Sequence, residues 1–306
     1  MPLVSVIMNV RNGAATLREA IDSVLEQTSE DWEMIVWDDR STDASAAMVA
    51  EYSDPRIRYF LSPDDVPLGK ARQDAIRQAT GEWVAFLDQD DIWLPAKLER
   101  QLALADTNVG LIYGRTIRFY SSGLERDYDQ THEYKPLPEG DIFTQLFADS
   151  CFIAMSSAMF RRSAIETIGG IPHEVRIIPD YYLYVAVAQK YGVRAVQEPV
   201  CRYRMHPESM SHTVALEMHR EVLWLVDCWA DQLDSHTVAL CRRRHFTAIA
   251  LEEMKSANSC ATGFVRLIRQ GSIGSQLVRP FAFVFHLVRR NVVPPYWREP
   301  RKQPNV

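Results

Sequence analysis

Four short apolar runs punctuate the first ninety residues, and each is followed by a polar turn and then a helical pattern. Val4–Val10, Trp32–Trp37, Ile57–Leu61 and Trp83–Leu87 are dense in strand formers. Between them, Leu17, Ala20, Ile21, Val24 and Leu25 mark one helical face, a second helix runs to about Tyr52, and Gly69–Ala79 places Ala71, Ala75, Ile76 and Ala79 inward. Strands alternating with helices of this length build βαβ units and a mainly parallel sheet with right-handed crossovers. Thr16 and Glu19 have capping-box spacing before the first helix, and Gly81 stands where a helix C-cap belongs.

The fourth run ends abruptly in Asp88, Asp90 and Asp91, after which Pro95 is placed to open a helix. In open α/β sheets ligands bind off the carboxyl ends of strands, where this loop lies. Carboxylates so close repel one another and are relieved by a hard cation with oxygen ligands. Mg²⁺ or Mn²⁺ there keeps positions open for phosphate oxygens. The competing reading is a solvated turn with Asp91 capping the helix.

Beyond Leu111–Tyr113 the rhythm breaks. Residues 114–150 read as polar and irregular, with strand pairing near Arg118–Tyr120 and a short helix at Asp141–Phe147. Ser156–Phe160 is strand-like, and Ser163–Ile168 is a helical turn closed by Gly169-Gly170. A helix starts at Ile178-Pro-Asp180, runs through Lys190 and is capped by Gly192. Ala195–Tyr203 reads as a strand, and two long helical stretches follow, from about Thr213 and from Thr237 to Lys255. The resulting division is 1–115 as a ligand-binding half, 116–212 as the other half of the same domain, and 213–306 as a helical appendage.

With 47% apolar and 24% charged residues in 306, a full core can be built. A net charge of −6 argues against a general nucleic-acid binder. The five cysteines are scattered without a Cys-x-x-Cys, which disfavours a disulfide framework and a zinc site and fits a reducing cytoplasm. No signal-peptide pattern and no run of 18 apolar residues is visible. From Arg279 to Val306, six basic residues (Arg279, Arg289, Arg290, Arg298, Arg301, Lys302) meet one acid, Glu299, and are interleaved with Phe281, Phe283, Phe285, Tyr296 and Trp297. That mixture suits peripheral contact with the inner face of the cytoplasmic membrane, or equally a terminal helix docked on its own domain.

Taken together, Val4–Asn12, Gln27-Thr28, Trp37–Asp43, Gly69–Arg72 and Leu87–Pro95 resemble the GT-A glycosyltransferases of family 2, in that family's order and spacing. The resemblance is dense over about the first 115 residues and looser over 150–212. It implies a Rossmann-like α/β sheet flanked by helices. It also implies an inverting transferase that moves a sugar from a UDP- or dTDP-sugar, with Mg²⁺ or Mn²⁺, to a saccharide or lipid-linked saccharide in cell-surface polysaccharide or glycolipid synthesis. By the same resemblance Asn9 lines the base, and Asp39 accepts the N3–H of uracil or thymine, since an ionised carboxylate accepts but cannot donate. Arg72 reaches the base or diphosphate, Asp88 the ribose, and Asp90 the metal, with Asp91 at its flank. Trp93 is either a sugar-pocket wall or core. His206 completes the metal shell or touches phosphate, with His212 a weaker candidate. Asp180 is the catalytic base at a helix N-terminus, where the dipole favours its ionised form. Two departures stand out: Arg40 replaces the usual Gly or Asn, and Pro179 replaces the Glu of the usual Glu-Asp pair. Asp43 and Thr42 are assigned to helix capping. Two rivals are a sugar-1-phosphate nucleotidyltransferase, whose Gly-rich Lys/Arg loop is reduced here to Arg11-Asn-Gly13, and a non-catalytic nucleotide-sugar-binding protein.

Overall fold

The computed structural model describes residues 2–120, 125–127, 135–149, 151–206 and 214–255. His212 and the basic-aromatic tail at 279–306 lie outside the described residues.

The first half follows the alternation. Strands β1 (Val4–Val10), β2 (Trp32–Asp38), β3 (Ile57–Leu61) and β4 (Trp83–Phe86) alternate with helices α1 (Leu17–Leu25), α2 (Ser45–Ala50) and α3 (Leu68–Ile76). The strands lie in the order β3-β2-β1-β4, all parallel. Both sheet faces are covered, which is why β1, β2 and β4 are apolar on both sides. One core layer packs α1 and α2 against Val6, Met8 and Val36, and the other packs α3 against Ile7, Ile35 and Trp37.

The second half is assembled differently. β5 (Ile92–Trp93) and α4 (Lys97–Leu102) lead into the long β6 (Val109–Tyr120), which pairs with β7 (Glu125–Asp127). Then come α5 (Phe143–Ala148), β8 (Met159–Arg161), α6 (Arg162–Thr167), α7 (Pro179–Ala188) and β9 (Gly192–Met205). β8 inserts antiparallel between β4 and β6, and β9 runs parallel to β6 with three register irregularities. β5 pairs with β9, not with its chain neighbour β4, so the nine-stranded sheet curls. That curl brings the end of β9 against the loop after β4. Helices α8 (Ala215–Trp229) and α9 (Ser235–Lys255) pack beside α5 and α7.

Several local expectations are corrected by longer-range contacts. Thr16 makes no cap; its hydroxyl lies 3.5 Å from the Gly13 carbonyl. α4 starts at Lys97, because Ile92-Trp93 is drawn into the sheet and the Leu94 amide is bonded to Val200. Strand pairing near Arg118–Tyr120 is found as expected, but residues 114–117, expected as irregular chain, also belong to β6. Ser156 sits in a 3₁₀ turn, with the strand delayed to Met159. Neither Gly81 nor Gly192 is a left-handed cap. Gly81 passes so close to β1 that a Cβ would sit 2.7 Å from the Ser5 nitrogen, and Gly192 opens β9. Gly169 and Gly170 are left-handed, as the turn after α6 requires.

Candidate active site

The site lies where the carboxyl ends of β1, β2 and β4 meet the end of β9 and the start of α7. At the end of β2 the two adjacent aspartates do different work. Asp38 is buried and structural: it accepts the Ser41 amide at 2.7 Å and the Tyr59 hydroxyl at 2.7 Å. These bonds hold a turn in which Arg40 adopts φ +60°, the left-handed region that Gly and Asn tolerate best. The usual Gly or Asn is therefore replaced by a residue that keeps the same backbone, with the Arg40 guanidinium bonded to the Pro63 carbonyl at 2.9 Å. Asp39 is also buried. Its Oδ1 is buried without a hydrogen-bond partner among the described residues, and Oδ2 lies 3.5 Å from Arg11, which also grips Asp65 at 2.5 Å. Burial raises the Asp39 carboxyl above the ordinary carboxylate range, against the pull of Arg11.

Asn9 stands beside Trp37 in the β1–β2 register. Both polar atoms of the Asn9 amide and the Trp37 indole nitrogen are buried without a partner among the described residues. Buried polar groups are normally satisfied, so three such groups at adjacent strand ends mark a place where a polar ligand or ordered water completes the bonding. An open groove of about 430 Å³, lined by Asp65, Val66, Pro67, Leu68, Arg176 and Ile177, adjoins the Arg11–Asp65 pair.

After β4, the aspartates separate into three roles. Asp88 pairs with the buried Arg72 of α3 at 2.7 Å. Its pKa is raised by burial, lowered by Arg72, and raised again by the Asp90 and Asp180 carboxylates. Asp91 is buried and internal. It accepts the Ser156 hydroxyl at 2.5 Å and the Arg204 amide at 2.9 Å, and burial drives its pKa well up. The Ser156 hydroxyl also accepts the Asp88 amide at 3.1 Å, so one serine fixes both ends of the acidic loop. Asp90 is left half-buried and facing outward, with Oδ2 at 2.7 Å from Nε2 of His206. The Arg204 guanidinium bonds the Asp90 carbonyl at 2.7 Å. Arg202 and Arg204 point the same way, each 4.5 Å from the Phe119 ring centre. Trp93 belongs to the core and not to a pocket wall: it is buried, its indole N–H donates to the Ser156 carbonyl, and Lys97 lies on its face.

Asp180 is the second residue of α7, behind Pro179, and its Oδ1 accepts the Tyr181 amide at 2.8 Å. It is close enough to Asp88 to perturb that carboxyl, and with Asp88 and Arg72 it acts on Tyr184. The structure thus brings Arg72 to Asp88 and His206 to Asp90, sets Asp180 at the start of α7 near Asp88, and leaves Asn9 beside Trp37 and Asp39 beside Val10 at the strand ends. Asp43, by contrast, bonds the Ser45 amide and hydroxyl and the Ala14 amide, as capping requires.

The donor set left over for a cation is one carboxylate and one imidazole, Asp90 and His206. The carboxylate oxygen suits Mn²⁺ or Mg²⁺, whereas the imidazole nitrogen favours a transition metal such as Mn²⁺ over the oxygen-seeking Mg²⁺. Among the described residues no three His, Cys, Asp or Glu side chains form a complete metal cage. Asp90 and His206 together supply two donors, short of a full shell. Three participants carry no local sequence signal: Ser156, 65 positions from Asp91; Gln89, whose amide clasps the Arg11 backbone at 2.9 and 3.2 Å; and Arg11, which sits inside a motif without an obvious task.

A mixed α/β sheet flanked by helices, with an acidic loop off its fourth strand, is the architecture of the GT-A-like class. The family model "Glycosyl transferase family 2" matches residues 5–169, and the chain belongs to that family. Among curated relatives, the chain is 29% identical over 222 residues to the UDP-Glc:alpha-D-GlcNAc-diphosphoundecaprenol beta-1,3-glucosyltransferase WfgD of Escherichia coli, covering 72% of this chain and 83% of that one. It is 30% identical to the succinoglycan biosynthesis protein ExoO of Rhizobium meliloti, covering 67% of this chain and 61% of that one. Among solved structures, the mannosyltransferase PcManGT from Pyrobaculum calidifontis, in complex with GDP-Man and Mn²⁺, superposes with a TM-score of 0.62 at 21% identity, over 87% of this chain and 80% of that one. Residues 1–349 of S. aureus TarS, in complex with UDP-GlcNAc, give 0.61 at 16%, over 88% and 77%. At these identities the two structures speak for the fold alone. Among the described residues no helix is long and apolar enough to cross a membrane.

Proposed function

We propose that this protein is an inverting glycosyltransferase that takes a UDP-sugar, or a sugar on another imide base, and places the sugar on a hydroxyl of a saccharide or lipid-linked saccharide in cell-surface glycan synthesis. The relatives that act on diphosphoundecaprenol-linked sugar or in succinoglycan synthesis support that substrate class. Residues 1–115 hold the donor and 116–212 present the acceptor.

The unpartnered Asp39 Oδ1 receives the imide N–H, with the Asn9 amide beside it. Arg72, held by Asp88, faces the diphosphate with a guanidinium fork. Asp90 and His206 would hold a divalent cation, which when bound neutralises the diphosphate and stabilises the charge of the leaving group. Asp180 takes the proton of the acceptor hydroxyl as that oxygen forms its bond to the sugar C1. The bond from C1 to the diphosphate oxygen breaks on the opposite side, the nucleoside diphosphate leaves with the electron pair, and one displacement inverts the anomeric centre. The observation that carries this reading is the convergence on the acidic loop of Arg72 at Asp88 and His206 at Asp90, with the α7 start that bears Asp180 packed beside the helix of Arg72. The basic-aromatic tail at 279–306 would hold the enzyme near a membrane-borne acceptor, and removing it should abolish sedimentation with anionic vesicles while sparing nucleotide binding.

The direct test is a thermal-shift series with UDP-glucose, UDP-N-acetylglucosamine and GDP-mannose, each with and without Mn²⁺. A ligand that binds only the native state raises its melting point. A Mn²⁺-dependent rise with a UDP-sugar, together with UDP release on adding diphospholipid-linked N-acetylglucosamine, is expected. No rise with any of the three overturns the reading.

A further inference from the structure

The chain segment that delivers Asp180 is clamped from two sides. On one side is α3, the helix that carries Arg72. The Gly69 amide donates to the Arg176 carbonyl at 3.1 Å, and Gln73 Oε1 accepts the Ile171 amide at 2.6 Å. The Val175 carbonyl approaches Gly69 so closely that a Cβ there would fall 1.8 Å from its oxygen. On the other side is Glu221 of α8. Its Oε1 accepts the amides of Arg176 and Ile177, both at 3.1 Å, and its Oε2 accepts those of Ile177 at 2.9 Å and Ile178 at 3.1 Å. Three successive amides converging on one carboxylate form an anion-binding nest, and here the anion is a side chain of the same protein. The residues so gripped are the last three before Pro179, the first residue of α7, and Asp180, the second.

We infer that Glu221 is a positioning residue for the transfer reaction: by fixing the 176–178 backbone it sets where the Asp180 carboxylate meets the acceptor hydroxyl. The inference rests on the reading of Asp180 as the base. Glu221 lies outside the span matched by the family model, in the helical appendage, which gives that appendage a part in catalysis. The geometry explains how a chain with proline before the base still holds it. Pro179 fixes one dihedral angle and starts the helix, while the hold on the preceding turn comes from a distant carboxylate. A glutamine at 221 can accept with one oxygen only, and its NH₂ group would face amide donors. The turn should then drift, and displacements of about 1 Å can cost roughly 10²-fold in rate.

The test is a double-mutant cycle on the full chain between Glu221→Gln and Asp180→Asn. The reaction is UDP release from UDP-glucose or UDP-N-acetylglucosamine, whichever raises the melting point more, with diphospholipid-linked N-acetylglucosamine or water as acceptor. Glu221→Gln should lower kcat by about 10²-fold, leave the Kd of UDP with Mn²⁺ within about twofold, and cost less than about twofold further when added to Asp180→Asn. A kcat equal to that of the unmutated enzyme, or the same loss on both backgrounds, overturns the inference. Should Glu221→Gln yield no folded protein, Glu221→Asp replaces it. That variant keeps the charge but shortens the reach, and the same non-additive loss is expected. Undiminished turnover by Asp180→Asn alone would instead sink the base assignment, a result separable from the other two.

Discussion

The two halves of the sheet solve the same problem by opposite means. In β1–β4 the strands run parallel, so Asn9, Asp39 and Asp88 lie at the same edge of the sheet, at or just past the carboxyl ends of β1, β2 and β4. In the second half nothing meets by adjacency. Asp91 is held by Ser156 and by the amide of Arg204, and Asp90 meets His206 across 116 positions, only because β9 returns to pair with β5. The first half is a product of local order. The second is a product of closure, and its residues should fail together where those of the first half fail singly.

The largest effect should come from the closed half. Asp180→Asn should cut kcat by about 10²–10⁴-fold while UDP binding persists, as loss of a general base does. Steady-state turnover compared with calorimetric binding of UDP checks this. Asp90→Ala at the seam should cost about 10²–10³-fold in kcat/KM and remove the Mn²⁺ dependence of UDP affinity, which a titration with and without Mn²⁺ reads. Asp39→Ala in the local half should weaken UDP about 10–100-fold with little change in the melting point, because one charged hydrogen bond to the base is lost and no strand contact with it. If Asp39→Ala instead unfolded the protein, the distinction between the halves would collapse.

The smallest functional effect should come from Lys97. This lysine is fully buried beneath the seam on Trp93, and burial lowers its pKa from 10.5 to about 7. Between those values the unfolded chain binds a proton that the folded chain refuses. Stability should therefore fall as pH drops from 10.5 towards 7 and level off below that. Lys97→Met should flatten the dependence with turnover unchanged, and at pH 7 it should add less than the roughly 4 kcal/mol of the charging cost because its 2.6 Å bond to Gln101 Oε1 is lost. Urea unfolding at pH 7 and pH 10 tests both statements.

What could be read from the sequence follows the same divide. The four parallel strands, α1–α3 and the strand-end aspartates were legible, because periodicity and turn chemistry are local signals. Within the acidic loop, the residues did not reveal which aspartate turns inward. Asp90 and Asp91 are neighbours of one type, and only the Ser156 hydroxyl and the Arg204 amide divide them. Pro95 misled for a related reason: the pairing of β5 with β9 overrides a helix start that looks sound in isolation. Gly81 and Gly192 carried the composition of caps but serve close passage and strand entry, a difference decided by neighbours absent from the local window. Glu221 could not be found at all, since a carboxylate on an amphipathic helix is ordinarily solvated.

The bare α-carbon at position 69 has a mechanical meaning. Helix α3 and the strap at 171–178 touch there with only hydrogen between them. A single methyl would act as a wedge, prising the helix of Arg72 from the strap that carries Asp180 by about its own width. Substrates, however well chosen, would then be presented to one another across a gap.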